Sequence, residues 1–337
     1  MKAVGYIKSH PIDHADALVD LTLDTPKATG RDILVQVRAV SVNPVDTKIR
    51  SARANEDGSP SILGWDAYGE VVALGDEVTM FNVGDAVYYA GAIDRAGTNA
   101  EFHLVDERIV GHAPKSTTAS EAAALPLTSL TAYEMLFDRL QVQNPVAGAV
   151  NAIVIIGGAG GVGSIAIQLL RAKTDLTVIA TASRPETKEW VQSLGAHHVI
   201  DHSQPIAAQV AALGLVQPAF VFSTTHTCTY VDQMAELIAP QGRFGLIDDP
   251  DAMSIMPFKA KSVSLHWEFI YTRSLFQTAD MTRQHDILTE LATLLDAGTL
   301  KSTASESMGV INAANLKNAH ALLESNKAKG KLTLEGF

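Results

Sequence analysis

The chain has 337 residues, 47% hydrophobic and 19% charged, which excludes a disordered segment and allows two domains. With 26 Lys and Arg against 37 Asp and Glu, its net charge of −11 would repel a phosphate backbone, so we expect no nucleic-acid partner. The single cysteine, Cys228, excludes an internal disulfide and any zinc site with two or more thiolates.

Two apolar stretches resemble targeting or membrane segments at first sight. The apolar run at the N-terminus is too short before Lys8 to act as a secretory signal. The uncharged run between Arg139 and Arg171 is interrupted by five glycines, which a membrane-spanning helix would not tolerate. We therefore expect a cytoplasmic protein with no membrane partner.

The first 125 or so residues are predicted to be rich in β-structure. The segment 33–42 alternates apolar and polar residues with the period of a strand that has one buried face. Turn dipeptides such as Gly75-Asp76 separate the further apolar runs. We predict antiparallel strands at 33–42, 69–74, 85–89 and 100–105.

From about residue 122 to residue 267 the chain alternates continuously apolar runs with segments of helical period. Runs that are buried on both faces and separated by helices indicate a parallel sheet in an α/β unit. We predict its strands at 152–156, 176–182, 197–200, 219–222, 244–247 and 263–265. Beyond them we expect helices at 280–297 and 313–324 and a last strand at 331–334.

A glycine-rich turn follows the first parallel strand and opens a helix predicted at 164–173. Its pattern, Gly158-x-Gly160-x-x-Gly163, is the dinucleotide-binding fingerprint. Gly158 permits the tight turn, Gly160 lets the backbone approach a pyrophosphate, and Gly163 lets the helix pack closely on the strand. The helix N-terminus offers N–H groups and the positive end of its dipole to the phosphates. The residues predicted to line this site are Gly158, Ala159, Gly160, Gly161, Val162 and Gly163.

The residues after the second parallel strand predict which nucleotide is bound. A site that prefers NAD places an acidic side chain there to hold the ribose hydroxyls. This chain instead has Ser183 and Arg184, with Lys188 one helical turn further on, and these can hydrogen-bond and neutralise a 2′-phosphate. Glu186 lies close by, in the first turn of the next helix, where acidic residues are common. We predict NADPH as the cofactor.

Four stretches, residues 40–50, 62–67, 123–133 and 157–163, together resemble the medium-chain dehydrogenase/reductase superfamily. Within it the chain looks most like the zinc-free quinone oxidoreductase branch, in the subgroup called zinc-type alcohol dehydrogenase-like. The resemblance implies a GroES-like β-rich catalytic domain, residues 1–125 and 266–337, and an inserted doubly wound Rossmann domain, residues 126–265. It also implies a substrate cleft between the domains and a homodimer formed through the Rossmann sheet.

The resemblance also implies where a catalytic zinc would lie in the zinc-dependent members. Their first cysteine corresponds to Asn43, their histidine and acid to Trp65 and Asp66, and their last cysteine to a position near Pro126. Amide, indole and proline groups are not ordinary zinc ligands. The four-cysteine structural lobe is missing as well. We therefore expect no metal.

Without zinc, a simple carbonyl lacks strong activation, so an electron-poor acceptor is favoured: a quinone or an α,β-unsaturated carbonyl compound. From the first matching stretch we select Asn43 and Lys48 as hydrogen-bond donors, and Asp46 as the residue that orients either one. The structural alternatives are a surface lysine for Lys48 and a turn cap before Pro44 for Asn43. Many quinone reductases carry tyrosine where Lys48 stands, which leaves the identity of the proton donor open.

The resemblance assigns further residues by their position. Thr128 matches a threonine beside the nicotinamide, His202 would lie at the adenine edge, and Lys331 belongs to a terminal Gly-Lys motif near the cofactor. The ends of parallel strands face the cofactor in this fold, which adds Ser223, Thr224, Leu246 and Ile247. Aromatic side chains would form the walls of the substrate site, with plain core as the alternative: Trp65, Tyr133, Trp267, Phe269 and Tyr271.

These observations predict an NADPH-dependent, zinc-independent reductase of quinones or α,β-unsaturated carbonyl compounds that forms a homodimer. Two alternatives stay open. A zinc-dependent alcohol dehydrogenase would require stoichiometric metal. An NADPH-binding protein without turnover, acting as a sensor, would bind the cofactor tightly and reduce no acceptor.

Overall fold

One unit of the protein is built from two separate stretches of the chain. The computed structural model describes residues 1–337, which divide into unit 1, residues 1–130 and 271–337, and unit 2, residues 131–270. Each predicted domain boundary lies five residues before the observed one. Unit 1 holds the β-rich segments and unit 2 holds the parallel sheet, so the predicted fold class is confirmed.

The strands belong to three sheets, and α-helices connect them. In chain order the strands are β1 (Lys2–Tyr6), β2 (Val19–Thr22), β3 (Asp32–Val42), β4 (Ser61–Ile62), β5 (Ala67–Leu74), β6 (Ala86–Tyr89), β7 (Phe102–Asp106), β8 (Val110–His112), β9 (Val150–Ile156), β10 (Thr177–Thr181), β11 (His198–Ile200), β12 (Pro218–Ser223), β13 (Arg243–Leu246), β14 (Ser264–Trp267), β15 (Ala304–Ser307) and β16 (Lys331–Glu335). The helices are α1 (Pro44–Ala52), α2 (Ala119–Ala123), α3 (Pro126–Tyr133), α4 (Gly161–Lys173), α5 (Pro185–Ser193), α6 (Ile206–Ala212), α7 (Thr227–Leu237), α8 (Thr272–Leu275), α9 (Arg283–Asp296) and α10 (Ala313–Glu324). Short 3-10 segments lie at Ala15–Ala17, Glu107–Ile109 and Met256–Lys261, and a π-helix at Glu134–Arg139.

The long strand β3 is the centre of the larger sheet in unit 1. It pairs antiparallel with β16 and β5 within the order β15-β16-β3-β5-β6-β8, and β7 also pairs antiparallel with β3, outside this order. Most of β3 is buried, so the predicted alternation holds only around Gln36 and Arg38. Strand β16 lies opposite residues 39–42 of β3, with Leu332 facing Val42, and this register brings Lys331 beside the end of β3. The three-stranded sheet of unit 1 has the order β2-β1-β4.

Unit 2 contains a six-stranded parallel sheet with the order β11-β10-β9-β12-β13-β14. The four central strands, β10, β9, β12 and β13, are apolar along most of their length and buried on both faces, and Ile153, Val221 and Phe244 are fully buried. The outermost strand β14 is partly exposed. The chain builds one side of the sheet from β9 to β11 and then returns to build the other side from β12. Strand β9 is therefore at the switch point, where ligands of such sheets bind beyond the carboxyl ends of the strands.

A hydrophobic core holds these strand ends in place. Val210 of α6 and Met234 of α7 are buried among side chains of the parallel sheet, including Val154 and Val221. Burying an apolar side chain of this size contributes about 1.5–3 kcal/mol, so the helices keep the strand ends in one arrangement. Every helix of the protein is too short or too polar to span a lipid bilayer.

Candidate active site

The chain makes its glycine turn directly after β9. Gly157 has a φ of +79°, a conformation that residues other than glycine rarely adopt. Its N–H donates to Thr181 Oγ1 at 3.0 Å, which ties the turn to the end of β10. The fingerprint predicts the tight turn at Gly158, but Gly157 takes that role; a Cβ on Gly158 would lie 2.8 Å from the Cβ of Ala180. The next residue, Ala159, is buried.

The other two glycines of the fingerprint differ in their surroundings. A Cβ on Gly163 would lie 2.4 Å from the carbonyl oxygen of Gly157, so the packing of α4 on the turn requires glycine there. A Cβ on Gly160 would meet only that same oxygen, at 3.5 Å, and Gly160 is exposed. Helix α4 begins at Gly161, three residues earlier than predicted, so Val162 lies in its first turn. The open position at Gly160 and the N–H groups of this turn form a cradle that suits a phosphate.

Ser183, Arg184 and Lys188 lie at the start of α5, directly after β10. Arg184 Nε is 2.9 Å from Glu186 Oε1, and Lys188 Nζ is 3.1 Å from Asp201 Oδ2. The side chains of Arg184 and Lys188 are 36% and 41% exposed. Both cations are therefore accessible to a phosphate group, and each is paired with a carboxylate of the protein.

His202 lies at the same corner of unit 2, after β11. With Tyr230 and other residues of α6 and α7 it lines an open groove of about 530 Å³. Burial lowers the pKa of His202; the charge of Asp201 opposes this shift, and the charges of His226, Arg184 and Lys188 add to it. Four basic side chains thus share this corner with two carboxylates, Glu186 and Asp201.

The ends of β12 and β13 carry a hydroxyl network. Thr224 Oγ1 donates to the carbonyl of Ile156 at 2.8 Å, and Ser223 Oγ lies 2.7 Å from Thr227 Oγ1. Thr227 contacts the Asp248 carboxylate through its hydroxyl and through its N–H, the latter at 2.8 Å. Asp248 was not among the residues predicted from the sequence, although it follows directly on the predicted strand end. The other two residues predicted to face the cofactor lie at this strand end: Leu246 is buried and Ile247 is half-buried.

The polar centre of unit 1 is Asp66, a carboxylate that we did not select as a site residue. Its side chain is fully buried. Asp66 Oδ2 accepts hydrogen bonds from Ser41 Oγ at 2.7 Å, Asn43 Nδ2 at 2.8 Å and Lys331 Nζ at 2.9 Å. Asp66 Oδ1 accepts from the Leu127 N–H at 2.7 Å. Burying a carboxylate costs on the order of several kcal/mol, and these four donors offset that cost.

Lys331 Nζ makes three hydrogen bonds within unit 1. Its acceptors are the Val42 carbonyl at 3.1 Å, Asn43 Oδ1, and Asp66 Oδ2. An ammonium has three N–H groups, so these acceptors match its full donor capacity. The side chain is only 3% exposed. All three partners belong to unit 1, and the place near the cofactor that the resemblance implies for Lys331 stays a prediction.

Asn43 and Asp46 are in direct contact at the start of α1, and Lys48 follows them on the same helix. Asn43 is the N-cap of α1, and its backbone N–H donates to Asp46 Oδ2 at 2.7 Å. Burial raises the pKa of Asp46 to about 7, although the Asn43 N–H and the charge of Lys331 both lower it. Lys48 is exposed, further along α1. A carboxyl group that titrates near neutral pH can hold or release a proton, so Asp46 suits that role.

Two of the predicted wall aromatics lie together in unit 1. Trp65 and Tyr271 are buried, with an edge-to-face contact and ring centres 6.3 Å apart. Trp65 Nε1 donates to the Ala92 carbonyl at 3.2 Å. Burial raises the pKa of Tyr271 well above its usual value, and the charges of Asp46 and Asp66 raise it further. The Tyr271 hydroxyl therefore stays protonated close to the Asp66 cluster.

The remaining predicted residues are dispersed. Thr128 is buried in α3, at the end of unit 1 that precedes residue 131. In unit 2, Tyr133 is buried and lies under the Lys173 ammonium, with 5.4 Å from Nζ to the ring centre. Trp267 and Phe269 are 56% and 46% exposed, at and after the outermost strand β14. Exposed apolar groups of this kind mark a contact surface, and the place of Trp267 and Phe269 in the wall of a substrate site stays a prediction.

Comparisons with known proteins agree on one family. Residues 29–131 match the alcohol dehydrogenase GroES-like domain, and residues 194–334 match the zinc-binding dehydrogenase family. A zinc-type alcohol dehydrogenase-like protein of Staphylococcus aureus (strain COL) is 39% identical over 339 residues, which covers 99% of both chains.

Two solved structures are similar over nearly the whole chain. A protein from Rhizobium etli CFN 42, named as a candidate zinc-dependent alcohol dehydrogenase, is 60% identical with a TM-score of 0.98, covering 100% of this chain and 98% of that one. A quinone oxidoreductase from Pseudomonas syringae pv. Tomato DC3000 is 25% identical with a TM-score of 0.83, covering 99% of both chains.

The zinc in some of these names does not fit the donor set of this chain. The Asp66 carboxylate accepts from four protein donors, Asn43 Oδ1 accepts from Lys331, and Trp65 offers only an N–H. No group of three or more His, Cys, Asp or Glu side chains is arranged to hold a metal ion. A zinc site in a protein needs at least three such ligands.

Proposed function

Because this chain belongs to the medium-chain dehydrogenase/reductase superfamily, we propose that it is an NADPH-dependent, zinc-independent reductase of quinones or α,β-unsaturated carbonyl compounds. Membership of the family makes the chain an oxidoreductase.

The residues of unit 2 fit a phosphorylated dinucleotide. The open position at Gly160 and the first turn of α4 would hold the pyrophosphate. Arg184 and Lys188 would hold the 2′-phosphate, with Ser183 as a hydrogen-bond donor, and His202 would lie near the adenine. No acidic side chain stands at the end of β10, where one would favour NAD. Bound NADPH would supply the hydride.

One observation carries the choice of acceptor: protein donors already occupy the Asp66 carboxylate and the Asn43 carbonyl oxygen. This arrangement leaves no ligand set for an ion that would polarise a simple carbonyl. A quinone or an α,β-unsaturated carbonyl compound is electron-poor without such help, and hydrogen-bond donors suffice for the charge that develops on its oxygen. The similarity to a quinone oxidoreductase supports the same class of acceptor.

Within unit 1 we assign the accompanying proton to Asp46. Reduction by two electrons adds a hydride to the acceptor and one proton to its oxygen. Asp46 is partly protonated at neutral pH because burial raises its pKa to about 7. Asn43 uses one N–H of its amide on Asp66, and its second N–H can donate to an acceptor oxygen.

The proposed reaction is tested with a panel of acceptors, following NADPH absorbance with and without a chelator. We expect quinones and enones to be reduced, simple ketones and aldehydes to be inert, and the chelator to have no effect. Asp46→Asn should lower kcat about tenfold or more and leave the KM for NADPH unchanged. Inhibition by the chelator together with stoichiometric zinc would favour an alcohol dehydrogenase. Tight NADPH binding without any turnover would favour a sensor.

The choice of nucleotide is tested by the double variant Ser183→Asp and Arg184→Ala. A carboxylate would repel the 2′-phosphate and the charge that neutralises it would be lost, so the Kd for NADPH should rise about a hundredfold. The Kd for NADH should change less than about threefold. Arg38→Ala, at an exposed arginine of unit 1, is the matched control. Equal losses for both nucleotides would show that the 2′-phosphate does not bind here.

We also propose that two copies associate through β14. This strand ends the parallel sheet with one side unpaired, and Trp267 and Phe269 expose apolar surface beside it. An exposed edge of this kind is a template for pairing with another chain. Light scattering should give twice the mass of the chain, and Trp267→Lys should reduce that value towards a monomer. A wild-type monomer would contradict the proposal.

A further inference from the structure

The ammonium of Lys331 cross-links distant segments of unit 1. It reaches Val42 and Asn43 at the end of β3, which are 289 and 288 positions away in the sequence, and Asp66, 265 positions away. Lysine is almost never fully buried unless it is paired. Lys331, at the start of β16, is therefore buried because it is paired with the groups around Asp66.

The geometry of the cluster determines which way the Asn43 side chain is turned. An ammonium can only donate, so the atom of Asn43 that faces Lys331 must be the carbonyl oxygen, Oδ1. The amide nitrogen then faces Asp66 Oδ2, at 2.8 Å. A neutral or smaller residue at position 331 would remove the reason for this orientation.

We propose that Lys331 is a positioning residue, whose ammonium is the fixed cation of this cluster: it neutralises Asp66 and turns the amide group of Asn43 towards that carboxylate. The cluster thus carries its own positive charge, on a side chain, where family names would lead one to look for a metal ion. All three N–H groups of Lys331 are used within unit 1, so the ammonium acts through Asn43 and Asp66 and not by direct contact with a ligand.

The pairing is tested by a double-mutant cycle in chemical denaturation, with Lys331→Met, Asp66→Asn and the double variant. Each single variant leaves one buried charge without its partner, so each should lower the folding equilibrium constant about a hundredfold or more. The double variant removes both charges, and its loss should be at least about tenfold smaller than the product of the two single losses. Lys327→Met, at an exposed lysine nearby, should change the constant less than about twofold.

The proposal would be overturned if the double variant lost as much of the folding equilibrium constant as the product of the two single losses. Should Lys331→Met fail to fold, a folded double variant is the expected result, and failure of the double variant as well would count against the pairing. Lys331→Arg keeps the positive charge and should lose less stability than Lys331→Met; an equal loss would show that packing, and not charge, is what matters at this position.

A pH profile separates positioning from a merely structural role, and this part rests on the proposed function. Asp46 is surrounded by the Asn43 and Gly64 N–H groups, by Asp66 and Tyr271, and by Lys331. Loss of the ammonium should move the pH midpoint of kcat/KM upward by about half a unit in Lys331→Met, about a threefold change at fixed pH. Lys331→Arg should keep the wild-type midpoint, and an unmoved midpoint in both would contradict the role. If the wild type reduces no acceptor, the proposed function fails and the denaturation cycle still decides the pairing.

Discussion

The two charged clusters of this protein are built in opposite ways. In unit 1, Asp66 and Lys331 are buried, and protein groups match every hydrogen bond that the ammonium can donate. In unit 2, Arg184 and Lys188 are more than a third exposed and pair with carboxylates at the surface. A buried ion pair is costly to break, whereas an exposed one is worth about 0–1 kcal/mol. The first cluster is therefore suited to hold groups in one arrangement, and the second to exchange partners with a ligand.

The largest expected effect comes from breaking the buried cluster. Asp66→Asn leaves the Lys331 ammonium buried without its counterion, so the free energy of unfolding should fall by about 3–5 kcal/mol. The control is Glu70→Gln, in an ion pair with Arg38 whose members are half exposed, and it should cost less than about 1 kcal/mol. Urea denaturation measures both. If the free energy of unfolding fell by the same amount in both variants, the buried pair would contribute no more to stability than the exposed one.

Burial also determines the protonation of His320, a side chain of α10 that lies near Arg50. Burial, with a smaller effect from Arg50, lowers the pKa of His320 to about 3 from its usual 6.5. The unfolded chain therefore takes up the proton first as the pH falls, and stability decreases below pH 6.5. Between pH 7 and pH 5 this group should cost about 2 kcal/mol.

His320→Leu tests this effect, because it should remove that part of the pH dependence. Denaturation of both proteins at pH 5, 7 and 8 measures it. The difference in stability between wild type and variant should be constant from pH 7 to pH 8 and should change by about 2 kcal/mol from pH 7 to pH 5. The same slope in both proteins would show that His320 is not responsible.

The glycine turn of unit 2 offers a pair of variants with opposite effects. Gly160→Ala adds a methyl group where only one protein atom lies within 4 Å, so stability should hold and NADPH affinity should fall about tenfold. Gly163→Ala forces that group against the turn, so stability should fall. Calorimetric titration and thermal unfolding measure the two. Loss of stability in Gly160→Ala would mean that glycine serves packing there too.

The smallest expected effect concerns the exposed pairs. Glu186→Gln and Asp201→Asn each release a cation, Arg184 or Lys188, from a competing carboxylate. NADPH affinity should then rise about two- to fivefold in each variant, because an exposed ion pair is weak. NADH affinity should stay constant. A fall in NADPH affinity would show that these carboxylates help to orient the cations.

The parallel sheet of unit 2 could be predicted closely from the sequence. Each of its six strands begins and ends within two residues of the predicted position. The reason is physical for the four central strands, β10, β9, β12 and β13: a strand buried on both faces needs a continuous apolar run, and such runs end abruptly at turn residues. The basic residues after β10 were predictable for the same reason, since their place depends on one strand end.

The cluster around Asp66 could not be predicted in this way. Asn43 and Asp46 lie in one local motif, but Lys331 meets Asp66 only through the register of β16 against β3, 265 positions away. The hydrophobic periodicity of the sequence gives no indication of a contact between residues so far apart. Lys48 lies on α1 of the same local motif and is exposed, and its role as a donor stays a prediction.

The pairing of β3 with β16 has a consequence for synthesis on the ribosome. Unit 2 is one continuous segment, and all of its strands emerge before β16 does. Unit 2 can therefore fold while β3 still awaits its partner, and Asp66 stays hydrated until the lysine arrives to bury it. Nascent chains arrested near residue 300 should resist protease in residues 131–270 alone. Protection of residues 1–130 at that length would show that β3 is held without β16.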